Sequence, residues 1–490
     1  MLHRIPTAVW PLLIMCLWGG AILGFNLVRF NAFGIDEGAA MALLLNWSVS
    51  DQIINPVATY GGPDFRALLF IPLGLYWPGS IIAAKVFTLM TGFAAAMYLY
   101  RWSKNTDSPE AALLATGLFL ISPSLIHLAD TVALGPYLLA LFGIGMYLDQ
   151  KYRASEHVIS SLYFVQLLVV AITVTLHPIG LAYPLALAWH WHTNPKTDNQ
   201  KKQVWIGIGI SVFIVLVMQT GWIDIQWNVN PLKSLHDALL GYNLGEPDLP
   251  AWAGGAIVML ALIYLIIRDF KVLSQQMFGK LLLVGIILGI FVADENWALL
   301  AITFVIYRGI PALITINRSI KTMNFMGQRG IVFISLIVIS TLFMQANKGY
   351  ATQIRAGVLS PKDLLIQRLA EEAAPDQAFL AASQWPARTM IICKRDVLKL
   401  PPDAENADAL LAMVKGLTHI MFDHQDPNNG NLAKNIAEMG GHTETLDIQP
   451  NGVIVKFRLD SDSQTTLPHP PKNPAVLPPD PNNQPVPSTP

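Results

Sequence analysis

The stretch "ISPSLIHLADTVALGPYLLALFGIGMYL", residues 121–148, decides how this chain folds. Its one formal charge, with histidine neutral, is Asp130, which falls where two apolar runs meet with almost no loop between them. A helix needs ~20 predominantly apolar residues to cross a bilayer. The stretch therefore reads as a helical hairpin in lipid, with a carboxylate at its tip. Similar runs recur outward from it through the first 347 positions. Only 13% of the 490 residues are charged and 53% are hydrophobic, with a mean hydropathy of +0.44. About a quarter of a soluble chain is charged. Backbone groups in lipid must pair within their own helix, so the expected fold is a polytopic α-helical membrane protein.

Eleven spans are expected near 8–28, 79–100, 109–128, 131–149, 157–176, 177–192, 204–222, 251–268, 281–293, 297–312 and 330–346. The first is read as a retained span, because its apolar core exceeds the ~7–15 residues of a signal h-region and no small-x-small site follows. "RALLFIPLGLYW" (66–77) is too short to cross alone and reads as an interfacial or re-entrant helix.

Sidedness follows from Lys and Arg. Arg4, Arg101, Lys104, Lys151, Arg153, Lys196, Lys201, Lys202, Arg268, Lys271, Lys280, Arg308, Arg318, Lys321 and Arg329 fall in one set of connectors, fifteen in all. The opposite set holds Arg29, Arg66 and Lys233. The positive-inside rule puts the larger set in the cytoplasm. The N-terminus is then inside, and the region after 347 is outside. Asp36, Asp130, His177, Asp294 and Glu295 share the outer face, as does the loop 223–250.

From Asn347 the composition changes. "PDQAFLAAS", "RTMIICKRDVLKL" and "THIMFDH" read as short strands, and "NADALLAMVKGL" and "NLAKNIAEMGG" as helices. "ETLDIQPNGVIVKFRL" alternates about a hairpin signal. Residues 348–460 form a small α/β extracytoplasmic domain on this reading. The tail 461–490, with ten prolines after residue 466, reads as a disordered or polyproline-II-like spacer. Cys16 and Cys393 lie in different parts of the chain and suggest no disulfide framework. A net charge of −1 gives no electrostatic case for nucleic acid.

The candidate site residues are charges on the outer rim. In "GIDEGAAMALLLNW" (34–47), Asp36 reads either as the N-cap of a helix beginning at Glu37 or as a general base at the lipid–water boundary. Glu37 suits the positive end of that helix in either case. Asp130 is a hairpin cap with Thr131 or a site residue, since acids near hydrocarbon are functional candidates by default. Lys85, about two turns into a span, either snorkels to headgroups or pairs with an anion such as Asp130. Arg66 pairs with Asp64 or with a ligand. His177, before Pro178, caps a turn or contributes to a phosphate site. Glu295 is the weakest acid candidate. The spacing supports no tightly held metal, nucleotide phosphate loop or nucleophile elbow.

A span, an Asp-Glu pair in the first outer loop and an amphipathic helix together resemble the membrane-embedded GT-C glycosyltransferases, in particular the protein-mannosyltransferase and aminoarabinose-transferase group. "GGPDFRALLFIPLGLYWPGSIIAAKVFTLMTGFAAAMYLYRW" (61–102) is similar to their loop, short helix and second span, and residues 122–149 to their hairpin with a second aspartate. The resemblance covers roughly residues 8–350. It implies transfer of a sugar from a polyprenyl-phosphate donor to a lipid, glycan or protein acceptor, at the outer face of a bacterial inner membrane. Asp36 matches the catalytic base and Asp130 a second acid, with Glu37 beside the base. Lys85, Arg66 and His177 are the candidates for the donor phosphate. The chain departs from the pattern in lacking a cation before paired prolines, and in having "ENWALL" where relatives carry an Arg-Tyr-Leu-type motif. Two other readings stand beside this one. A lipid-sugar flippase would need ionisable groups near the midplane and matched broken helices. A non-catalytic assembly protein would display the 348–460 domain.

Overall fold

The computed structural model describes residues 34–47, 66–154, 161–193, 231–240, 253–292, 294–319, 337–348, 359–373, 379–449 and 452–458, with a few single positions besides. The expected spans 8–28 and 204–222, most of the loop 223–250, and the tail 461–490 lie outside these residues or touch them only in part. The chain divides into two compact units between Asp363 and Leu364.

The first unit is helical. α1 (Glu37–Trp47) is followed by two short helices, α2 (Arg66–Leu69) and α3 (Ile71–Tyr76), which occupy the segment expected to lie at the interface. Leu75, Tyr76 and Trp77 are exposed there. α1 packs on this segment: Asn46 Nδ2 donates to the Ala67 carbonyl at 2.8 Å. Gly79, at φ +68°, lies so close to the Trp47 ring that a Cβ would stand 2.6 Å from it. Only glycine meets both demands without strain.

Three helices begin at a capping serine, two of them before proline. Ser80 caps α4 (Ile81–Thr106), accepting the Ala83 amide at 3.2 Å. Ser108 and Pro109 open α5 (Pro109–Leu120), and Ser122 and Pro123 open α6 (Pro123–Asp130). Serine satisfies an orphan amide, and proline at the first position gives up a donor that would be unpaired anyway. The second Ser-Pro start breaks the expected span 109–128 into two helices bent by 44°.

α7 (Gly135–Ala154), α8 (Ser161–Leu176), a 3-10 turn (Pro178–Leu181) and α9 (Ala182–Thr193) follow. Then come α10 (Pro231–Leu240), α11 (Ala253–Leu273), α12 (Met277–Val292) and α13 (Glu295–Ser319). Residues 337–348 are helical as well. Among the described residues, α4 and the stretch Glu295–Thr315 of α13 are long and apolar enough to cross a membrane, and α5 with α6 makes a third if the bent pair is one span. Phe119, Phe142, Tyr183, Trp297 and Tyr307 anchor one continuous apolar core between these helices. Tyr137 and Tyr307 bury their hydroxyls against Thr88 (2.6 Å) and Thr116 (2.9 Å), which satisfies polar groups that would be costly alone.

The second unit carries a five-stranded sheet in the order β2-β1-β3-β5-β4. β1 (Ala381–Ser383) pairs in parallel with β2 (Val397–Lys399) and β3 (His419–Phe422). β4 (Thr443–Gln449) and β5 (Gly452–Phe457) form the expected antiparallel hairpin, with β5 beside β3. Two of the expected helices are present as Ala407–Met413 and Gly430–Glu438. "RTMIICKRDVLKL" is corrected. Pro386–Cys393 is a helix ended by Lys394 at φ +53°, and only Val397–Lys399 is strand. Pro386 at the first helical position and the Thr389 hydroxyl bonded to the Trp385 carbonyl (2.6 Å) favour the helix over the apolar alternation.

Candidate active site

Asp36 starts α1. Its Oδ2 accepts the Ala39 amide at 3.3 Å and its carbonyl accepts the Ala40 amide at 2.9 Å, which is N-cap geometry. Glu37 follows in the first turn, near the positive end of the helix dipole. Capping does not use up Asp36: the side chain is 41% exposed, and the same Oδ2 pairs with Arg66 Nη2 at 2.7 Å. Arg66 is itself buried and spends its Nη1 on the Val132 carbonyl at 2.9 Å.

That carbonyl belongs to the turn joining α6 to α7. Three successive residues of the turn each hold a different part of the site. The Asp130 carboxylate takes Lys85 Nζ at 2.8 Å, with both groups buried. The Thr131 carbonyl accepts the Asp36 amide at 2.7 Å. The Val132 carbonyl accepts Arg66. Val132 sits at φ +59°, a left-handed conformation that is rare for a β-branched residue and costs roughly 1–3 kcal/mol. The two acids, 94 positions apart in sequence, are thus tied to one strained turn, each with its own cation.

A second layer of polar contacts adjoins the first. Asp294 caps α13 by accepting the Trp297 amide at 2.9 Å, and its Oδ2 accepts Asn296 Nδ2 and His177 Nε2, both at 2.8 Å. His177 Nδ1 accepts the Ile179 amide at 3.2 Å, which fixes the imidazole proton on Nε2. Both of its nitrogens are therefore engaged in joining the 178–181 turn to α13. Asn296 Oδ1 accepts the Gly135 amide at 2.7 Å and brings the start of α7 to the same place. Glu295 is 38% exposed, 3.9 Å from His127 Nε2, and within Coulombic range of Asp36 and Asp294.

The structure thus gathers Asp36, Arg66, Lys85 and Asp130 about one turn. It sets His177 with Asp294 and Asn296, and Glu37 in the first turn of α1. His127 and Asn296 are additional. His127 had a legible signal, since it lies three residues before Asp130 and hence on the same helix face. Asn296 had none. The site holds a sheltered carboxylate, Asp130, and a partly exposed one, Asp36. It can therefore fix charge on one wall and handle protons on another. Among the described residues no three His, Cys, Asp or Glu side chains are placed to hold a metal ion.

No family model and no curated protein matches this sequence. Its fold does match solved structures. ArnT from Cupriavidus metallidurans in the apo state aligns with 90% of this chain and 97% of its own, at a TM-score of 0.54 and 12% identity. The same protein bound to undecaprenyl phosphate gives 0.53 at 11% identity, with the same coverage. The Archaeoglobus fulgidus oligosaccharyltransferase in the apo form aligns with 94% of this chain and 77% of its own, at 0.51 and 11% identity. The chain therefore shares the fold of ArnT and of the archaeal oligosaccharyltransferase.

Proposed function

We propose that this chain is a glycosyltransferase of the outer face of a bacterial inner membrane, moving a sugar from a polyprenyl-phosphate donor to an acceptor hydroxyl. The observation that carries the reading is the union of Asp36 and Asp130 on the 130–132 turn, one acid open and the other sheltered, each beside a cation. The undecaprenyl phosphate held by a protein of the same fold supports the donor class.

In the reaction the acceptor oxygen attacks the anomeric carbon from the face opposite the phosphate. The new C–O bond forms as the bond from that carbon to the phosphate oxygen breaks, and the anomeric centre inverts. Asp36 takes the acceptor proton, and the bonding pair leaves with the phosphate. Arg66 and Lys85 offset the charge gathering on the leaving group, and Asp130 fixes where the Lys85 ammonium stands. Glu37 contributes negative charge beside the base. His177 supports the site through Asp294. The lipid tail holds the donor at the boundary, so no nucleotide sugar is required outside the cell.

The test is turnover of undecaprenyl-phosphate-linked sugar by the purified protein. General bases contribute ~10²–10⁴-fold, so Asp36→Asn is expected to lower kcat by at least ~100-fold with the fold intact. A fully active Asp36→Asn protein overturns the assignment of the base.

A further inference from the structure

A second polar cluster occupies the end of the helical unit away from Asp36 and Asp130. α4 runs from Lys85 to Thr106, α7 from Gly135 to Arg153, and α9 from the 3-10 turn to His190. Their C-terminal turns meet the start of α12 around a cavity of about 260 Å³, whose lining includes Trp102, Thr106, Asp149, Arg153, His190 and Gln276.

Apart from Asp149, the hydrogen bonds of this lining leave donors rather than acceptors. Gln276 Oε1 accepts from Trp102 Nε1 (2.8 Å) and Thr106 Oγ1 (3.1 Å), so its amide N–H groups are what it offers. A guanidinium can only donate, so His190 Nε2, 2.7 Å from Arg153 Nη1, is an acceptor and the imidazole proton is on Nδ1. That N–H is buried and has no hydrogen-bond partner among the described residues. Asp149, the carboxylate of the lining, has one oxygen occupied by Trp191 Nε1 at 3.0 Å and the other 3.6 Å from His190 Nε2. Lys280, fully buried nearby, bonds Thr193 and lies 5.3 Å from the Trp189 ring centroid.

Helix C-termini carry partial negative charge, which Lys104, Lys151 and Arg153 offset in the last turns here. Asp149 adds negative charge to the lining, so net attraction of an anion depends on Arg153 in the lining and on Lys280 behind it. We propose that this cavity binds a phosphate group, carried by an anionic phospholipid of the adjacent leaflet or by a soluble phosphate. Basic pockets between membrane helices take such headgroups. The volume, at the small end of the ~300–1,000 Å³ of ligand clefts, suits a headgroup rather than a nucleotide. The inference rests on membrane embedding and not on sugar transfer.

The experiment titrates the delipidated full-length protein, in uncharged detergent, with dihexanoyl-phosphatidylglycerol and with inorganic phosphate, by calorimetry and thermal midpoint. Saturable one-site binding with a raised midpoint is expected. Binding of the lipid alone identifies a headgroup site, and binding of both identifies a site for phosphate from either source. Gln276→Glu keeps the oxygen that holds Trp102 and Thr106 but replaces the donor with a negative oxygen. It is expected to weaken binding at least tenfold, and Arg153→Gln, which also removes the donor to His190, to do the same. No saturable binding of either probe, or binding indifferent to both substitutions, overturns the proposal.

Discussion

Lys85 and Asp130 show what a charge means in this molecule. Both are buried, and they pair at 2.8 Å. Removing one partner of such a pair costs about 3–5 kcal/mol, because the other charge is stranded, whereas replacing both with apolar groups is often close to neutral. Lys85→Met is therefore expected to lower the thermal midpoint of the purified protein sharply. Adding Asp130→Leu should restore most of the midpoint while sugar transfer stays abolished. A double variant no more stable than Lys85→Met would show that neither charge depends on the other. Asp36 and Asp130 were legible in the sequence because a carboxylate in an apolar context stands out. The pairing of Arg66 with Asp36 was not: the guanidinium reaches Asp36 and a carbonyl 66 residues downstream, and no local spacing encodes those contacts. The expected pairing with Asp64 lies outside the described residues.

At the level of elements, starts were easier to read than interiors. Ser108 with Pro109 and Ser122 with Pro123 act on their own first turns, so local chemistry suffices. The stretch after Trp385 was misread because apolar residues at short spacing fit a buried strand and a packed helix equally well. The left-handed Val132 was invisible for a related reason, since nothing in a valine announces φ +59° and tertiary bonds to its neighbours impose it. In the sheet, β3 begins at His419, whose pKa is lowered to about 4 by burial and by Lys456. Unfolded histidine titrates near 6.5. The unfolded chain therefore binds a proton that the sheet excludes, and stability falls as pH drops from about 6.5 towards 4. Glu372, held below the ordinary carboxylate range by its hydrogen bond to Lys456, adds a further loss at still lower pH. Hydrogen-exchange protection factors of β3 amides in the full chain should decline over that interval. His419→Phe should flatten the decline above pH 4.5, and an unchanged slope would assign the effect to another group.

At the largest scale, the helical unit sorts part of its polarity by end. Asp36, Asp130, Asp294 and Glu295 gather at one end, while Arg101, Lys104, Lys151, Arg153, Arg268 and Lys271 belong to connectors or helix ends at the other, where Arg308 pairs with Asp107 and Asp269. The bias of Lys and Arg between connectors was legible in the sequence, because the positive-inside rule sums many weak signals and tolerates errors in any one boundary. We infer that the acidic end faces outward. In a variant lacking native cysteines, Glu444→Cys should react with a membrane-impermeant maleimide in spheroplasts, and Glu110→Cys only after lysis, both positions being exposed. The reverse pattern overturns the orientation. Charge sorting of this kind also has an electrical consequence. A resting cell holds its interior negative, and moving one elementary charge through 100 mV is worth ~2.3 kcal/mol. On the inferred orientation, which puts the basic connectors inside, the bundle lies along that field, so an energised membrane would hold it in that orientation more firmly than a depolarised one.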